Sequence, residues 1–517
     1  MSSRAGLARD SENWPGKVTG GQDWRMAGLR LEEEVVKFAV FSRILIILWQ
    51  MVSNNLTPDH DAGVFNPPVR HPVGIGDHFI DVVFGGFSHW DSAHFLYIAD
   101  HGYTIQKHFA FFPLFPTTVK TVSETVLFPL HFFMNAHSAL LVTAVAVNVL
   151  FFVAATFVLF KLSVLTLHDR QLALRTALLF CINPAGIFMT AAYSESLFTF
   201  VSFYGMLAME RKLYLPATLL FALSSATRSN GIVNCGFVVF FTARELTSKL
   251  RLPLTDFSFQ DLLLLLLKSI STLCYMVAIL APFVAFQYHA YYLYCSDFKR
   301  EKALALWHPA FPTDNEEYLP PGSTTIPPWC NWTVPSAYSY IQDSFWDVGF
   351  LRYYQLKQIP NFVLAAPIIA LCGSAVYSYC RVNWHVCRTL GLGAERKEGD
   401  DKPRTGFNSP QVFVYIAHLS FLLLFGVTNM HIQVVTRFLA SSSPVIYWYA
   451  AHLTREDPQH SKTNPATSEN AAYPNNPILQ QIHNWKTLRR TTQVVLGYFI
   501  FYNVVGVALH SNFFNWT

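Results

Sequence analysis

The chain has 517 residues, of which 52% are hydrophobic, 15% aromatic and only 14% charged, with a formal net charge of +4 and a mean hydropathy of +0.27. This composition excludes an ordinary soluble protein of the same size and points to a bilayer. The small net charge and the lack of a long basic run exclude nucleic acid as a partner, so charge is informative only by position.

A membrane-spanning helix needs roughly 20 apolar residues, and that ruler gives about eleven candidates along the chain. They fall near 38–55, 138–162, 172–190, 196–210, 213–227, 232–248, 262–290, 360–380, 411–428, 438–452 and 492–510. The first, FAVFSRILIILWQMVSNNL from Phe38, follows a polar segment, 1–37, and reads as an uncleaved signal anchor. The connector 381–410, with RVNWHVCRTLGLGAERKEGDDKPR, and the polar linker 453–491, ending in KTLRR, read as cytosolic. Counting outward puts the N-terminus and the clusters HDR (168–170), ERK (210–212) and KLR (249–251) on that side too. Two large loops, 56–137 and 291–358, and the tail 511–517 then face the lumen. Asn-x-Ser/Thr acceptors at Asn55, Asn331 and Asn515 fall on that lumenal side, although chance alone would supply as many.

The eight cysteines show no metal-binding spacing, and no metal or cofactor is expected. Cys295 and Cys330 are the two in the lumenal loops, where an oxidising compartment permits a disulfide.

Polar residues collect at the lumenal ends of spans and in the lumenal loops: WDSAH (90–94), YSES (193–196), TRSNG (227–231), YSYIQDSFWDVGF (338–350), QIPNF (358–362) and HIQVVTR (431–437). A transporter is expected to hold such groups near the midplane within paired repeats, and neither is evident. The pattern favours a one-sided active site. Asp91 and His94 share a face if their segment is helical, with Trp90 beside them, and a helix N-cap is the competing reading. Glu195 fits a site residue or a first-turn acid. Arg228 and Asn230 fit a phosphate site, or a helix end terminated by Gly231. His431 and Arg437 fit phosphate ligands or headgroup anchors, and Asp343 and Asp347, four apart among aromatics that include Trp346 and preceded by Gln342, suggest a sugar-binding face. FFPLFP (111–116) reads as an interfacial helix broken by Pro113 and Pro116. His78, His89, His101 and His108 read as surface residues.

Taken together, WDSAHFLYIADHGY with HFAFFPLFP, NPAGIFMTAAYSESLF (183–198), ATRSNG (226–231), the block 327–362 and HIQVVTRFLASSSP (431–444) resemble the PIG-V family, the GPI mannosyltransferase 2 family, in order over 38–452. The resemblance implies an all-α polytopic membrane protein of the GT-C glycosyltransferase fold in the endoplasmic reticulum. It implies transfer of the second mannose, in α-1,6 linkage, from dolichyl-phosphate mannose to the GPI precursor glycolipid, with Asp91 as the essential carboxylate of the first lumenal loop. Membrane lipids are partners, and an accessory membrane subunit is left open. The competing readings are another dolichyl-phosphate-sugar transferase, a lipid scramblase or transporter, and a noncatalytic subunit of a glycosylation complex.

Overall fold

A computed structural model of the chain describes residues 23–63, 67, 72–249, 258–296, 318–321, 325–393, 404–455 and 476–516. Most of the N-terminal segment, part of the KLR cluster, the centre of the 381–410 connector, most of the polar linker and Thr517 lie outside the described residues. Among the described residues every regular element is helical.

Among the described residues, six segments are long and apolar enough to cross a membrane: Leu29–Leu56, Ala136–Leu167, Phe259–Tyr294, Leu356–Val382, Pro410–Asn429 and Arg490–His510. Two of the other candidates are interrupted for identifiable reasons. The main helices are α1 (Asp23–Leu56), α2 (Ile75–Phe84), α3 (Asp91–His101), α4 (Leu114–Glu124), α5 (Ala136–Leu167), α6 (Arg170–Cys181), α7 (Glu195–Glu210), α8 (Tyr214–Thr227) and α9 (Cys235–Lys249). They continue with α10 (Phe259–Tyr294), α11 (Ala337–Ser344), α12 (Ile359–Val382), α13 (Phe413–Asn429), α14 (Val435–Ser442), α15 (Val445–Leu453), α16 (Pro477–His483) and α17 (Arg490–His510).

The expected span 172–190 is the clearest departure. Helix α6 stops at Cys181, ahead of Pro184, whose ring disfavours helical backbone at Asn183. The apolar residues that follow run as turns, and their carbonyls are met by side chains. Arg43 of α1, fully buried, donates to the carbonyls of Cys181 (2.7 Å) and Gly186 (3.0 Å) and to Thr190 Oγ1 (3.0 Å), with its guanidinium 3.7 Å from the centre of the Phe152 ring. Asn148 donates to the carbonyl of Tyr193 at 2.9 Å. Hydropathy alone overran the helix because the segment is apolar yet hydrogen-bonded from outside itself. In the same way Pro444 divides the expected span 438–452 into α14 and α15.

The first large loop is itself built of helices. Pro113 and Pro116 stand at the start of α4, where a missing N–H leaves no helix bond unmade, so FFPLFP begins a helix instead of breaking one. Phe111, Phe112 and Phe115 are buried in the core, which replaces the expected membrane-surface wedge. His78 and His101 are exposed, but His89 is half-buried and His108 fully buried.

Packing places α5 against α1, α6 and α7, α8 between α7 and α10, and α15 against α6, α12 and α17. Phe152, Phe180, Tyr447 and Trp448 belong to the largest core cluster. A second cluster, with Phe95, Phe111, Phe115, Phe188 and Tyr193, lies beneath α3. A third joins Phe109 and Phe112 to Phe286, Trp329 and Tyr340, clamping the first loop to the second. That second loop is stapled by a disulfide between Cys295 and Cys330, with Cα atoms 5.5 Å apart. Helix α10 lies at the margin of the bundle, with only 6% of its most apolar window buried.

Candidate active site

Asp91 opens α3, and the residue before it sets its position. Trp90 has φ of +59°, a left-handed conformation that is sparsely populated by bulky residues and that marks stored strain. The turn aims the Asp91 N–H at Tyr193 Oη, 3.2 Å away. No side-chain cap is made at this helix start, so Asp91 is not the helix cap that the sequence left open.

Asp91 Oδ2 accepts from Arg437 Nη1 at 2.8 Å. The other carboxylate oxygen has no partner among the described residues, and the side chain is 35% exposed, into a cavity of about 110 Å³. Burial alone would raise the Asp91 carboxyl, but the charge and hydrogen bond of Arg437, with His94 and Arg228 behind it, hold it below the usual carboxylate range. Arg437 remains protonated although burial opposes its charge, because Asp91 and Glu195 both face it. Its guanidinium also lies 5.2 Å and 5.4 Å from the ring centres of Phe188 and Tyr193.

A second ion pair sits beside the first. Glu195, at the first position of α7 and fully buried, is bound by Arg228, which caps the C-terminus of α8. The second Glu195 carboxylate oxygen is buried without a partner. Arg228 Nη1 also approaches Ser194 Oγ at 3.4 Å, and the adjacent Ser229 Oγ lies 2.8 Å from Tyr338 Oη of α11. Two carboxylates and two guanidiniums from four separate segments therefore form one cluster with no net charge. Gly231 does not terminate α8 through a left-handed backbone. It permits close approach, since a Cβ there would lie 2.3 Å from the Ser224 carbonyl carbon.

His94 shares the Asp91 face of α3 as its spacing anticipated. It is buried, stacked on Phe111 (ring centres 5.0 Å apart), and burial pushes it down to about 4 despite the Asp91 charge. Its imidazole is neutral at physiological pH. Asn230 serves to tie segments together, donating to Ser442 Oγ at 3.0 Å.

Most of the remaining predicted residues lie outside the Asp91 cavity. Asp343 is exposed and bound by Arg352, which also reaches Asp347 at 3.6 Å, so the expected sugar-binding carboxylates form a surface network. Gln342 is half-buried and its carbonyl accepts from the Val348 N–H at 2.9 Å. Trp346 packs edge-on against Phe111, ring centres 6.2 Å apart, one residue removed from His94. His431 donates to the Trp346 carbonyl and stacks on Tyr353 at 4.5 Å, which makes it a clamp on the second loop. Asn55 lies in the last turn of α1 with its amide donating to the carbonyls of Met51 (2.7 Å) and Val82 (2.8 Å), a poor setting for a glycan. Asn331 is exposed in a short 3₁₀ turn. Asn515 lines the cavity beside Asp91.

Sequence reasoning gave no site role to Tyr193, although the YSES motif contains it, or to the end of α17 and the segment after it, where Asn515 stood only as a glycosylation acceptor. His510, Asn515 and Trp516 line the same cavity as Asp91 and Arg437, and no periodicity or charge announces them. Among the described residues no cluster of three or more His, Cys, Asp or Glu is arranged to hold a metal ion.

The family model for mannosyltransferase (PIG-V) matches residues 32–517. The chain belongs to the PIG-V mannosyltransferase family. It is 40% identical over 498 residues to the GPI alpha-1,6-mannosyltransferase 2 of Homo sapiens, covering 94% of this chain and 98% of that protein. The Mus musculus protein of the same name is 40% identical over 499 residues, covering 94% and 99%. The GPI mannosyltransferase 2 of Drosophila melanogaster is 32% identical over 498 residues, covering 94% and 100%. The family match extends past 452, where the resemblance in sequence had stopped, and takes in α17 and the segment that returns to the cavity.

Proposed function

We propose that this protein transfers the second mannose of the GPI anchor, in α-1,6 linkage, from dolichyl-phosphate mannose to the one-mannose glucosaminyl-phosphatidylinositol precursor, at the lumenal face of the endoplasmic reticulum membrane. The observation that carries the reading is the Asp91–Arg437 pair, set in an aromatic cavity of a PIG-V family chain. Membership supplies the reaction class, and the pair supplies a base and a cation at one point.

The chemistry follows from the linkage. A β-mannosyl phosphate yields an α product by a single inversion. The oxygen of the acceptor 6-hydroxyl attacks C1 as the C1–O bond to phosphate breaks, its proton passes to Asp91, and dolichyl phosphate departs with the bonding pair. Asp91 needs no elevated pKa for this, because it acts ionised and the hydroxyl acidifies only as the new bond forms. Phosphate leaves as an anion, so no protonated acid is required, and no metal or cofactor enters the proposal. Growing negative charge is met by guanidinium groups. Arg437 keeps donors beyond the one spent on Asp91, and Arg228 stands in the same relation to Glu195.

A lipid-linked donor also fits a groove of about 760 Å³ between α10 and the second loop, lined by Phe283, Val284, Tyr288, Tyr291, Trp332 and Val334. Gln287 at its edge accepts from the Tyr338 N–H at 3.0 Å, and Tyr338 reaches Ser229 beside Arg228. An isoprenoid chain along the groove would bring its phosphate toward that arginine.

The test is a purified transfer assay with dolichyl-phosphate mannose and the one-mannose acceptor. The expected product carries two mannoses, and cells lacking the protein accumulate the one-mannose lipid. Accumulation of a two-mannose lipid, or of an N-glycan precursor, would assign the protein to a different transfer.

A further inference from the structure

The segment after α17 turns back on its own helix. The His60 N–H donates to the Asn512 carbonyl at 2.9 Å, and Asn512 Nδ2 donates to Ser53 Oγ at 3.0 Å. Phe513 stacks on His89 (3.8 Å) and Phe514 on His60 (4.9 Å), the first of these one residue from Trp90. Phe513 has φ of +55°, a left-handed turn in a bulky residue that tertiary contacts must enforce. The chain then delivers Trp516 alongside Tyr502, ring centres 5.2 Å apart, and against Gly506 of α17. His510, at the end of the helix, places Nε2 3.4 Å from Tyr193 Oη, the atom that accepts from the Asp91 N–H.

The result is a built wall. Trp516 and Asn515 stand across the cavity with Trp90, Asp91 and Arg437. Gly506 is the position that admits the indole: a Cβ there would lie 2.4 Å from Trp516 Nε1. The N–H edge of the indole is therefore turned toward α17, where the nitrogen is buried without a hydrogen-bond partner, and Trp516 lines the cavity.

We propose that Trp516 is the platform for the terminal hexopyranose of the acceptor glycolipid, and that Gly506 exists in α17 to seat it. This rests on the reading of Asp91 as base to that sugar's primary hydroxyl. A pyranose has one face of C–H bonds and a rim of hydroxyls. A rigid aromatic surface suits the face, and the rim is then offered to Asp91 and Arg437.

The experiment uses the full-length purified protein, with Trp516→Ala, Trp516→Phe and Gly506→Ala assayed against dolichyl-phosphate mannose and the one-mannose acceptor. Trp516→Ala should raise the acceptor KM about five- to tenfold with kcat within about threefold, the size expected for one aromatic contact. Trp516→Phe should recover most of the loss. Gly506→Ala improves helix propensity but puts a Cβ 2.4 Å from Trp516 Nε1, so it should raise the same KM by displacing the indole. A KM within twofold of wild type in both Trp516→Ala and Gly506→Ala would overturn the proposal, as would a fall in kcat with KM unchanged. Failure of the wild-type protein to transfer mannose would instead remove the functional reading beneath it.

Discussion

Arg437 and Asp91 are separated by 346 positions in the chain and meet at 2.8 Å, joining the start of α14 to the start of α3. The pairing keeps a recessed carboxylate ionised, and it engages only Oδ2 of a residue that lines the cavity.

The first prediction concerns pH. Burial raises the Asp91 carboxyl, and Arg437 together with His94 and Arg228 more than offsets it, so the ionised base should persist below the ordinary carboxylate pKa of about 3.9. The pair's contribution to stability is present above that value and is lost as pH falls through the depressed one. Arg437→Met removes the lowering influence and leaves burial, so the acid limb of kcat/KM should move to higher pH. A limb at the same pH in wild type and variant would show that Arg437 does not set the base. His94, pushed down to about 4, should add no limb near the ordinary histidine value of about 6.5.

The second prediction separates a buried pair from its members. Glu195 is fully buried and the Arg228 side chain is 20% exposed. Glu195→Ala should destabilise the protein by roughly 3–5 kcal/mol, because it strands a guanidinium in the interior. Replacing both with apolar residues of similar volume should cost less than the single change, which thermal unfolding in detergent would measure. A double variant less stable than either single one would mean the pair is held by something other than charge.

How far the site was legible can be judged from its members. Asp91, Glu195, Arg228 and Arg437 stood out because each is a charge in an aromatic or apolar run, where it must be partnered or used. Their partners did not stand out, since a contact between residues 91 and 437 has no local signature. Tyr193 was hidden by the abundance of tyrosine, and Trp516 by a segment with neither period nor charge. Asp343 and Asp347 show the opposite limit: a local carboxylate pair says nothing of which way the loop faces, and here Arg352 pairs with both at the surface. Two spans were drawn as continuous helices where hydropathy continues through Asn183–Pro184 and Pro444, since apolar composition fixes burial but not backbone conformation.

The third prediction is the staple of the second loop. Peptide mapping without reduction should recover Cys295 linked to Cys330. With a sequence separation of 35, Cys295→Ser with Cys330→Ser should cost up to about 4 kcal/mol on the chain-entropy account. Two free thiols in the mature protein would end this assignment.

The fourth prediction is sidedness. Asn331 is exposed in a turn, and if the second loop is lumenal it should carry an endoglycosidase-sensitive glycan that Asn331→Gln abolishes. A tag inserted at residue 325 that proves accessible from the cytosol would reverse the orientation.

The central claim is that Asp91 takes the proton from the acceptor hydroxyl, and the direct measurement is the rate of mannose transfer by purified Asp91→Asn. The substitution keeps the shape and an acceptor for Arg437 but removes the basicity. The account predicts a fall of at least about 10²-fold, the lower range for general acid–base catalysis, with expression and thermal stability close to wild type. Transfer within a few-fold of wild type would contradict it and move the search for the base to Glu195, whose second oxygen is buried and unpartnered beside the same two arginines.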